Sequence, residues 1–383
     1  MNLPGPTATA PDPGPKAERG RLLSLDVLRA VAILLVLGHH FPVPHLQEAP
    51  LLDGIGQGWH LGGWIGVDLF FVLSGFLVSG LLFGEHRRHG VIRYGRFLAR
   101  RGFKIYPAFY ALIAATVVLR LATEGEIWWR ALFDESLFIQ NYGPRLWVHT
   151  WSLAVEEHFY LLLPGALFLV LRSAGGRPDP FARLLPALGI LAVAVLALRV
   201  GTAWRTPFDP DTHLFPTHLR VDSLTFGVVL AYAYNYHHER FLSFGRRHFV
   251  ALLLGGVALL APAFVFDVID TPYLFTFGLT ELYLGSGMLL VALVARPLPR
   301  SRVTSAMGYC GMYSYSIYLW HMPVRELVDR VLVKRLPGWA PEATAFLLFV
   351  LLSVGQGILA ARLIEYPVLR LRDRWMPSAS RAV

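Results

Sequence analysis

Cysteine and charge are both scarce in this chain. Cys310 is the single cysteine, so no disulfide can form within the chain. Charged residues make up 16% of the 383 residues, whereas soluble proteins carry about 25%. The sequence also has no Walker-type glycine loop, and Ser74 lies outside a G-x-S-x-G nucleophile elbow. These absences argue against a soluble protein, against ATP chemistry and against a serine nucleophile.

Long apolar runs are abundant instead, and hydrophobic residues account for 55% of the chain. A transmembrane helix needs about 17–25 apolar residues. The sequence therefore predicts an all-α membrane protein, a polytopic bundle of about ten transmembrane helices in the lipid bilayer. The predicted spans are 22–41, 61–84, 105–122, 150–171, 184–200, 220–236, 249–266, 273–295, 305–332 and 343–364.

The distribution of Lys and Arg predicts the orientation of this bundle. With the N-terminus inside, the cytoplasmic segments hold 23 Lys and Arg residues and the outer loops hold 5, as the positive-inside rule requires. Both termini are then cytoplasmic, and the net charge of +9 needs no nucleic acid as an explanation. We expect a disordered cytoplasmic tail at 1–21, a membrane domain at 22–370 and a second cytoplasmic tail at 371–383.

Arg29 and His40 lie near the two ends of the first apolar run, LDVLRAVAILLVLGHH. They are 11 positions apart, which places both on one helix face, about 16 Å apart along the axis. His39 points about 80° away from that face. The layout suits a ligand with an anionic head and a long thin arm, such as a coenzyme A thioester. Alternatively, Arg29 is a snorkelling anchor and His40 only ends the helix.

Other ionisable residues lie within predicted spans, where they suggest function by default. They are expected in the outer half of the membrane, near the level of His40, and simpler roles compete for each. A carboxylate can pair with a buried arginine, an early glutamate can favour the helix dipole, and a buried histidine can bond to a backbone carbonyl. These residues are Asp68, Glu156, Glu157, Arg220, Asp222 and His321.

A basic stretch, RYGRFLARRGFKIYP, follows the second predicted span on the cytoplasmic side. Its arginine forks suit phosphate oxygens. Basic residues are also expected in any cytoplasmic loop, so the alternative is orientation alone. The candidate phosphate ligands in this stretch are Arg93, Arg96, Arg100, Arg101 and Lys104, with Arg100, Arg101 and Lys104 preferred.

These stretches, taken in order, resemble the acyltransferase-3 family of integral membrane acyltransferases. The resemblance covers about residues 22–370 and rests on Arg29 and His40, GVDLFFVLSGFL, RRGFKIYP, WSLAVEEHFY, LRVD, YSIYLWHMPV and IEYP. Lys104 stands where the family usually has an arginine. The chain ends soon after its tenth predicted span, so we expect the stand-alone form without a hydrolase-like domain.

The resemblance implies transfer of an acyl group, often acetyl, from cytoplasmic acyl-CoA to a hydroxyl of a sugar or glycoconjugate. It implies a bacterial inner-membrane enzyme with acyl-CoA as donor substrate, no permanently bound cofactor and no metal. His40 is the expected base, or an acyl acceptor, and Glu156 is expected either to orient His40 or to bind hydroxyls of the acceptor. Arg29, Arg100, Arg101 and Lys104 are expected to bind acyl-CoA. Substrate or support roles are expected for Asp68, Arg220, Asp222 and His321.

A transporter of sugar derivatives or lipid-linked glycans is the alternative function. Buried His, Asp and Glu also build proton relays in porters. Many porters contain internal inverted repeats, and no such repeat is visible here. A non-catalytic relative is a third hypothesis, which the retention of Arg29, His40 and Glu156 disfavours.

Overall fold

The computed structural model describes residues 22–42, 49–123, 125–175, 179–330 and 342–377. The predicted tail at 1–21 and the end of the predicted tail at 371–383 lie outside the described residues. Within the described ranges the chain is helical and contains no strand, as the fold class predicts. The helices are α1 (Leu23–His40), α2 (Pro50–Gly62), α3 (Gly66–His89), α4 (Tyr94–Thr123), α5 (Trp129–Ser136), α6 (Trp151–Ser173), α7 (Leu184–Arg205), α8 (Pro210–His213), α9 (Val221–Tyr236), α10 (His238–Arg247), α11 (Phe249–Leu260), α12 (Leu279–Ala295), α13 (Arg302–Met312), α14 (Ser314–Val328), α15 (Glu342–Ala360) and α16 (Tyr366–Trp375).

Seven helical stretches among the described residues are long and apolar enough to cross a membrane. Helix α10 and the helical segment Phe249–Phe264, which begins with α11, meet at a bend of 79°. They make an eighth candidate crossing if the two form one broken span. Each of the ten predicted runs has a helical counterpart. However, α9 has 16 residues and α14 has 15, which is short for a span of about 20. The exact count of ten and the cytoplasmic termini therefore stay predictions.

Two segments are more ordered than the sequence suggested. The predicted outer loop 42–60 contains most of α2, which packs on α1 as Trp59 Nε1 donates to the Leu34 carbonyl oxygen at 3.0 Å. At the other end, α16 continues to Trp375, so the segment predicted as a tail from residue 371 begins within a helix. The rings of Trp375 and Phe103 on α4 are 6.3 Å apart.

Helix α1 lies inside the bundle and positions the site. Its core face is fully buried, with Ala30, Ala32, Ile33, Val36 and Leu37 all 0% exposed. Helices α2, α3, α13 and α14 pack around it. Burial explains why this face of the run is apolar.

Helices α3 and α9 approach each other unusually closely. A Cβ on Gly75 would lie 2.0 Å from the Leu224 carbonyl oxygen, and one on Gly227 would lie 2.4 Å from the Val72 carbonyl oxygen. Only glycine allows these backbones to touch, as small residues do at other membrane helix interfaces. The contact fixes the middle of α3 against α9.

Glu135 lies on the short helix α5, outside the spanning segments, and is 1% exposed. Its Oε2 accepts a hydrogen bond from the Leu146 backbone N–H at 3.1 Å. Burial disfavours the carboxylate and raises the pKa of Glu135 from its usual 4.5 to about 7. The folded state therefore holds a proton on Glu135 that the unfolded state has lost above pH 4.5.

Stability should fall as the pH rises from about 4.5 to about 7, because in this range the unfolded chain has released the Glu135 proton that the folded chain still holds. The stabilising contribution is complete below pH 4.5 and is lost above the folded pKa, at a cost of up to about 3 kcal/mol. Thermal unfolding in detergent from about pH 5 to about pH 8 measures this slope. Glu135→Gln should flatten it, whereas exposed Glu126→Gln should not. An unchanged slope in Glu135→Gln would contradict the assignment.

Candidate active site

Three imidazoles, two buried and one (His40) half-buried, meet where α1, α6 and α14 converge. The ring centroids of His40 and His321 are 4.8 Å apart, and so are those of His321 and His149. Both pairs are edge to face, at interplanar angles of 72°. His149 is 1% exposed and His321 is 0% exposed. We call His40, His149 and His321 the imidazole layer.

Each ring in the imidazole layer has one nitrogen next to a backbone carbonyl oxygen. His40 Nδ1 lies 2.9 Å from the Val36 oxygen, and His321 Nδ1 lies 2.5 Å from the Tyr318 oxygen. His149 Nε2 lies 3.2 Å from the Leu319 oxygen. Because a carbonyl oxygen only accepts, these nitrogens carry the protons and donate. In the neutral imidazole the opposite nitrogen then keeps its lone pair, as a general base requires.

His39 faces a different neighbour, as the helical angle predicts. Its Nδ1 lies 2.9 Å from the His60 carbonyl oxygen on α2, and the two rings are stacked at 6.0 Å. Adjacent histidines at the end of α1 thus serve different contacts. His39 touches the imidazole layer only through the His40 ring, 5.1 Å away, and its hydrogen bond holds α2 against α1.

A second polar group lies further along the same helices, toward Arg29. Tyr160 donates to Glu156 at 2.9 Å and Tyr106 donates to Glu157 at 2.5 Å. Ser74 and the Tyr160 hydroxyl also hydrogen-bond. We call this group the charged layer; its members are Arg29, Arg101, Lys104, Glu156, Glu157 and Glu365.

The cations of the charged layer are held by its acids and aromatic rings. Lys104 Nζ lies 2.5 Å from Glu365 Oε2, and Ser316 donates to the other oxygen of Glu365. The Arg101 guanidinium lies 4.2 Å from the centre of the Tyr160 ring. Glu365 sits in a π-helical turn between α15 and α16, a distortion frequent at functional sites.

Glu156 belongs to the charged layer rather than to the surroundings of His40. It interacts electrostatically with Arg101 and Arg29, and no described hydrogen bond joins it to His40. The expected pairing of Glu156 with His40 is therefore not what the structure brings together. His321 is instead the side chain beside His40. The sequence placed Glu156 too close to the membrane depth of His40.

Much of the basic stretch contacts the end of the described chain. Arg96 donates to the Pro377 carbonyl oxygen and Arg100 to that of Met376. Arg100 also lies 3.3 Å from Asp373. These contacts dock α16 onto α4. They use guanidinium donors that were predicted to bind phosphate. Phosphate binding by Arg100, Arg101 and Lys104 stays a prediction.

Two buried ion pairs join α3, α7 and α9. Arg220 Nη2 lies 2.7 Å from Asp68 Oδ1, and both side chains are at most 1% exposed. Arg199 pairs with Asp222, and both of these side chains are 0% exposed. The Arg220 guanidinium also lies over the Trp151 ring at 5.4 Å. Asp68 is therefore paired with a buried arginine, which was one of the roles expected for it. Arg220 and Asp222 have separate partners.

Two cavities open near α1. One of about 440 Å³ lies between α1 and α2 and is lined by Trp59 and Phe264. Another of about 470 Å³ runs along α3 from Phe76 to Arg88. Neither is lined by Arg29 or His40, so a cavity shared by those two residues stays a prediction.

Sequence reasoning missed His149 and Arg199 as site residues, and it included Glu365 only as part of the IEYP motif. His149 lies just before the predicted fourth span, and its spacing of seven from Glu156 was the available signal, since i and i+7 share a helix face. Arg199 is the one arginine within LGILAVAVLALRVG, and its isolation in an apolar run was its signal. Among the described residues, no group of three His, Cys, Asp or Glu side chains is arranged to hold a metal ion.

The family model described as an acyltransferase domain, acyltransferase-3, matches residues 22–362. The chain belongs to this family. The match covers both layers except Glu365, and it includes α1 to α14. It agrees with the resemblance expected from the motifs. No solved structure matches the chain.

Curated relatives of this acyltransferase-3 chain are similar across most of its length. The peptidoglycan O-acetyltransferase OatA of Listeria monocytogenes is 28% identical over 90% of this chain and 55% of its own. YrhL of Bacillus subtilis, provisionally named a peptidoglycan O-acetyltransferase, is 27% identical over 78% of this chain and 48% of its own. The chain thus spans about half the length of these relatives.

Proposed function

We propose that the chain is an inner-membrane O-acyltransferase. It moves an acyl group, with acetyl as first choice, from cytoplasmic acyl-CoA to a hydroxyl of a sugar or glycoconjugate. Family membership supports acyl transfer, and the names of the relatives support acetyl as the group and a peptidoglycan-type glycan as the acceptor to test first.

The separation of the two layers along shared helices carries this proposal. Helix α1 contributes Arg29 to the charged layer and, about 16 Å further along, His40 to the imidazole layer. Helix α6 follows His149 and contributes Glu156. A donor with phosphates at one end and a thioester at the tip of a long arm matches this order of groups. Cations suit its phosphates, and a neutral imidazole suits the proton transfer at its tip.

His40 acts as the general base. Its Nδ1 donates to the Val36 carbonyl oxygen at 2.9 Å, so Nε2 accepts the proton of the acceptor hydroxyl. The hydroxyl oxygen then attacks the thioester carbonyl carbon, a C–O bond forms and the C–S bond breaks. The imidazolium returns the proton to the departing thiolate, which leaves as the free thiol of coenzyme A.

The remaining residues act through these groups. His321 positions the His40 ring by its edge-to-face contact at 4.8 Å. Glu156 serves the donor end of the site through Tyr160 and Arg101. Asp68, Arg220 and Asp222 support the fold of the wall formed by α3 and α9.

Purified full-length protein in proteoliposomes should release free thiol from labelled acetyl-CoA, and the release should depend on an added glycan acceptor. The label should move to that glycan, with peptidoglycan fragments tried first. Thiol detection and mass spectrometry of the glycan measure the two products. Uptake of unmodified glycan into the vesicles without thiol release would favour a transporter and contradict the proposal.

A further inference from the structure

The cavity of about 470 Å³ follows one face of α3 toward the C-terminal end of that helix. Phe76, Gly80, Gly84 and Arg87 line it at helical spacing, and residues of α1, α9 and α10 form its other walls. From Phe76 to Arg87 it extends about 16 Å along the helix axis. Its volume lies within the range of small-molecule sites, about 300–1,000 Å³. We call this cavity the α3 groove.

The α3 groove lies where α3 and α9 diverge beyond their glycine contact. A Cβ on Gly75 would lie 2.0 Å from the Leu224 carbonyl oxygen, so the two backbones touch there. Further along α3, a Cβ on Gly80 would have its nearest neighbour at 3.9 Å and one on Gly84 at 3.4 Å, in both cases a side-chain atom. Close packing therefore explains Gly75, whereas Gly80 and Gly84 border open space.

The side of the α3 groove is open along an apolar helix face. Leu77, Gly80, Leu81 and Gly84 all line the groove and are half-buried. Helix α3 belongs to a helical stretch that is long and apolar enough to cross a membrane. Apolar walls offer water no hydrogen-bond partners, so a gap that opens sideways at this depth suits a hydrocarbon chain of the bilayer.

One end of the α3 groove is cationic. Arg87, Arg88 and His238 line the end that is predicted to face the cytoplasm, and none of the described lining residues is acidic. The exposed Arg87 is oriented because its Nη1 donates to the Asn235 carbonyl oxygen at 2.7 Å. A guanidinium carries five N–H donors, so this bond leaves others for a phosphate. Basic pockets between membrane helices suit the headgroups of anionic lipids.

The length of the α3 groove matches one leaflet of a bilayer. The hydrocarbon core is about 30 Å thick, so one leaflet provides about 15 Å, close to the distance of about 16 Å from Arg87 to Phe76. We propose that the α3 groove binds an anionic phospholipid, with the headgroup phosphate at Arg87 and one acyl chain along Gly84, Gly80 and Phe76.

This lipid site is separate from the reaction site. None of the described residues that line the α3 groove belongs to the imidazole layer or to the charged layer. The nearest link along the chain is Leu25, which lines the groove one turn before Arg29 on α1. A chain in the groove contacts α1, α3, α9 and α10 at once. The expected effect of the lipid is therefore on the stability of the bundle.

Thermal unfolding of the full chain tests the headgroup end of the α3 groove. The delipidated protein is placed in phosphatidylcholine nanodiscs with increasing phosphatidylglycerol. Its unfolding temperature should rise and then saturate, because a ligand of the folded state stabilises by mass action. Arg87→Gln should need about five- to tenfold more phosphatidylglycerol for the same rise, measured against the same variant in phosphatidylcholine alone.

Arg247→Gln is the charge-matched control for this titration. Arg247 is exposed at the end of α10 and does not line the α3 groove, so its loss should leave the response to phosphatidylglycerol as in wild type. An equal response of Arg87→Gln and wild type would overturn the headgroup site. A similar weakening in both variants would assign the effect to the general surface charge and would overturn it too.

Gly80→Leu tests the chain end of the α3 groove. The open space at Gly80 predicts a wild-type unfolding temperature in phosphatidylcholine, while the leucine side chain occupies the path of the acyl chain and removes the rise caused by phosphatidylglycerol. Gly189→Leu on α7 is the matched control, since a Cβ there would have no neighbour within 4 Å. A folded Gly80→Leu protein that keeps the full rise would refute the proposed chain path.

Competition in detergent identifies the ligand. Fluorescent phosphatidylglycerol bound to the wild-type protein should be displaced by unlabelled phosphatidylglycerol, and neither phosphatidylcholine nor coenzyme A should displace it. Displacement by coenzyme A would make the α3 groove a nucleotide site. Equal displacement by phosphatidylcholine would make it an apolar gap without headgroup recognition, and either result would defeat the inference. None of these measurements uses acyl transfer, so this site and the proposed function can fail separately.

Discussion

His40→Ala is expected to lower the rate of acceptor-dependent release of coenzyme A by about 10²- to 10⁴-fold, the usual contribution of a general base. The reason is local: His40 Nδ1 donates to the Val36 carbonyl oxygen at 2.9 Å, which leaves Nε2 as the proton acceptor. Alanine removes that acceptor and keeps the helix. Single-turnover thiol release in proteoliposomes gives the rate without the complication of product release.

His39→Ala is the matched control for this variant. The two residues are adjacent and both are imidazoles. The His39 ring lies 5.1 Å from that of His40, but its hydrogen bond goes to the His60 carbonyl oxygen of α2. It should therefore lose some stability and little activity. A His40→Ala protein that folds and turns over within about threefold of wild type would remove His40 from the reaction.

His321 separates a positioning role from direct chemistry. Its ring contacts both His40 and His149 at 4.8 Å, so His321→Phe keeps an aromatic ring in the layer and removes its nitrogens. If His321 only positions His40, this variant should keep more activity than His40→Ala. It should also shift the pH profile of thiol release, because the surroundings of the base have changed.

The sequence was sufficient for the parts of this fold that depend on local periodicity. Apolar runs located the helices, and 100° per residue separated His39 from His40 correctly. The pairing of Asp68 with a buried arginine follows from the cost of an isolated charge in a membrane. Each of these inferences depends only on the periodicity of a single helix, or on the requirement that a buried charge has a partner of opposite charge.

Inferences that required the relative height of two helices were less successful. Glu156 was expected near His40, but α6 begins at Trp151 after a 3₁₀ turn that contains His149. The histidine therefore occupies the level of His40, and Glu156 lies further along, beside Arg101. The sequence gives the order of residues along α6. It does not give the position of α6 relative to α1 along the helix axis, because that position depends on loop geometry and not on periodicity.

The docking of α16 on α4 was hidden for a related reason. The bonds of Arg96 and Arg100 to Pro377 and Met376 join positions more than 270 apart. The acceptors are backbone carbonyl oxygens, which every residue carries. The basic stretch was therefore predicted to be available to phosphate, because backbone acceptors cannot be recognised from the amino-acid sequence.

Loss of the buried carboxylate at Asp68 should cost about 3–5 kcal/mol of stability, as expected when one partner of a buried ion pair is removed. In Asp68→Asn the Arg220 guanidinium stays buried beside a neutral amide, with Nε and Nη1 already lacking described hydrogen-bond partners. Denaturant titration in detergent measures this loss. Asp211→Asn removes the pair between Arg145 and the exposed Asp211 side chain, and it should cost only about 1 kcal/mol.

The double variant Asp68→Leu/Arg220→Met decides whether this pair supports the fold or the reaction. Apolar residues of similar volume remove both desolvation costs, so the double variant should be more stable than Asp68→Asn. If the pair only supports the wall formed by α3 and α9, thiol release should recover along with stability. Recovered stability without recovered thiol release would instead assign Asp68 or Arg220 to the site, because folding alone would then no longer account for the loss.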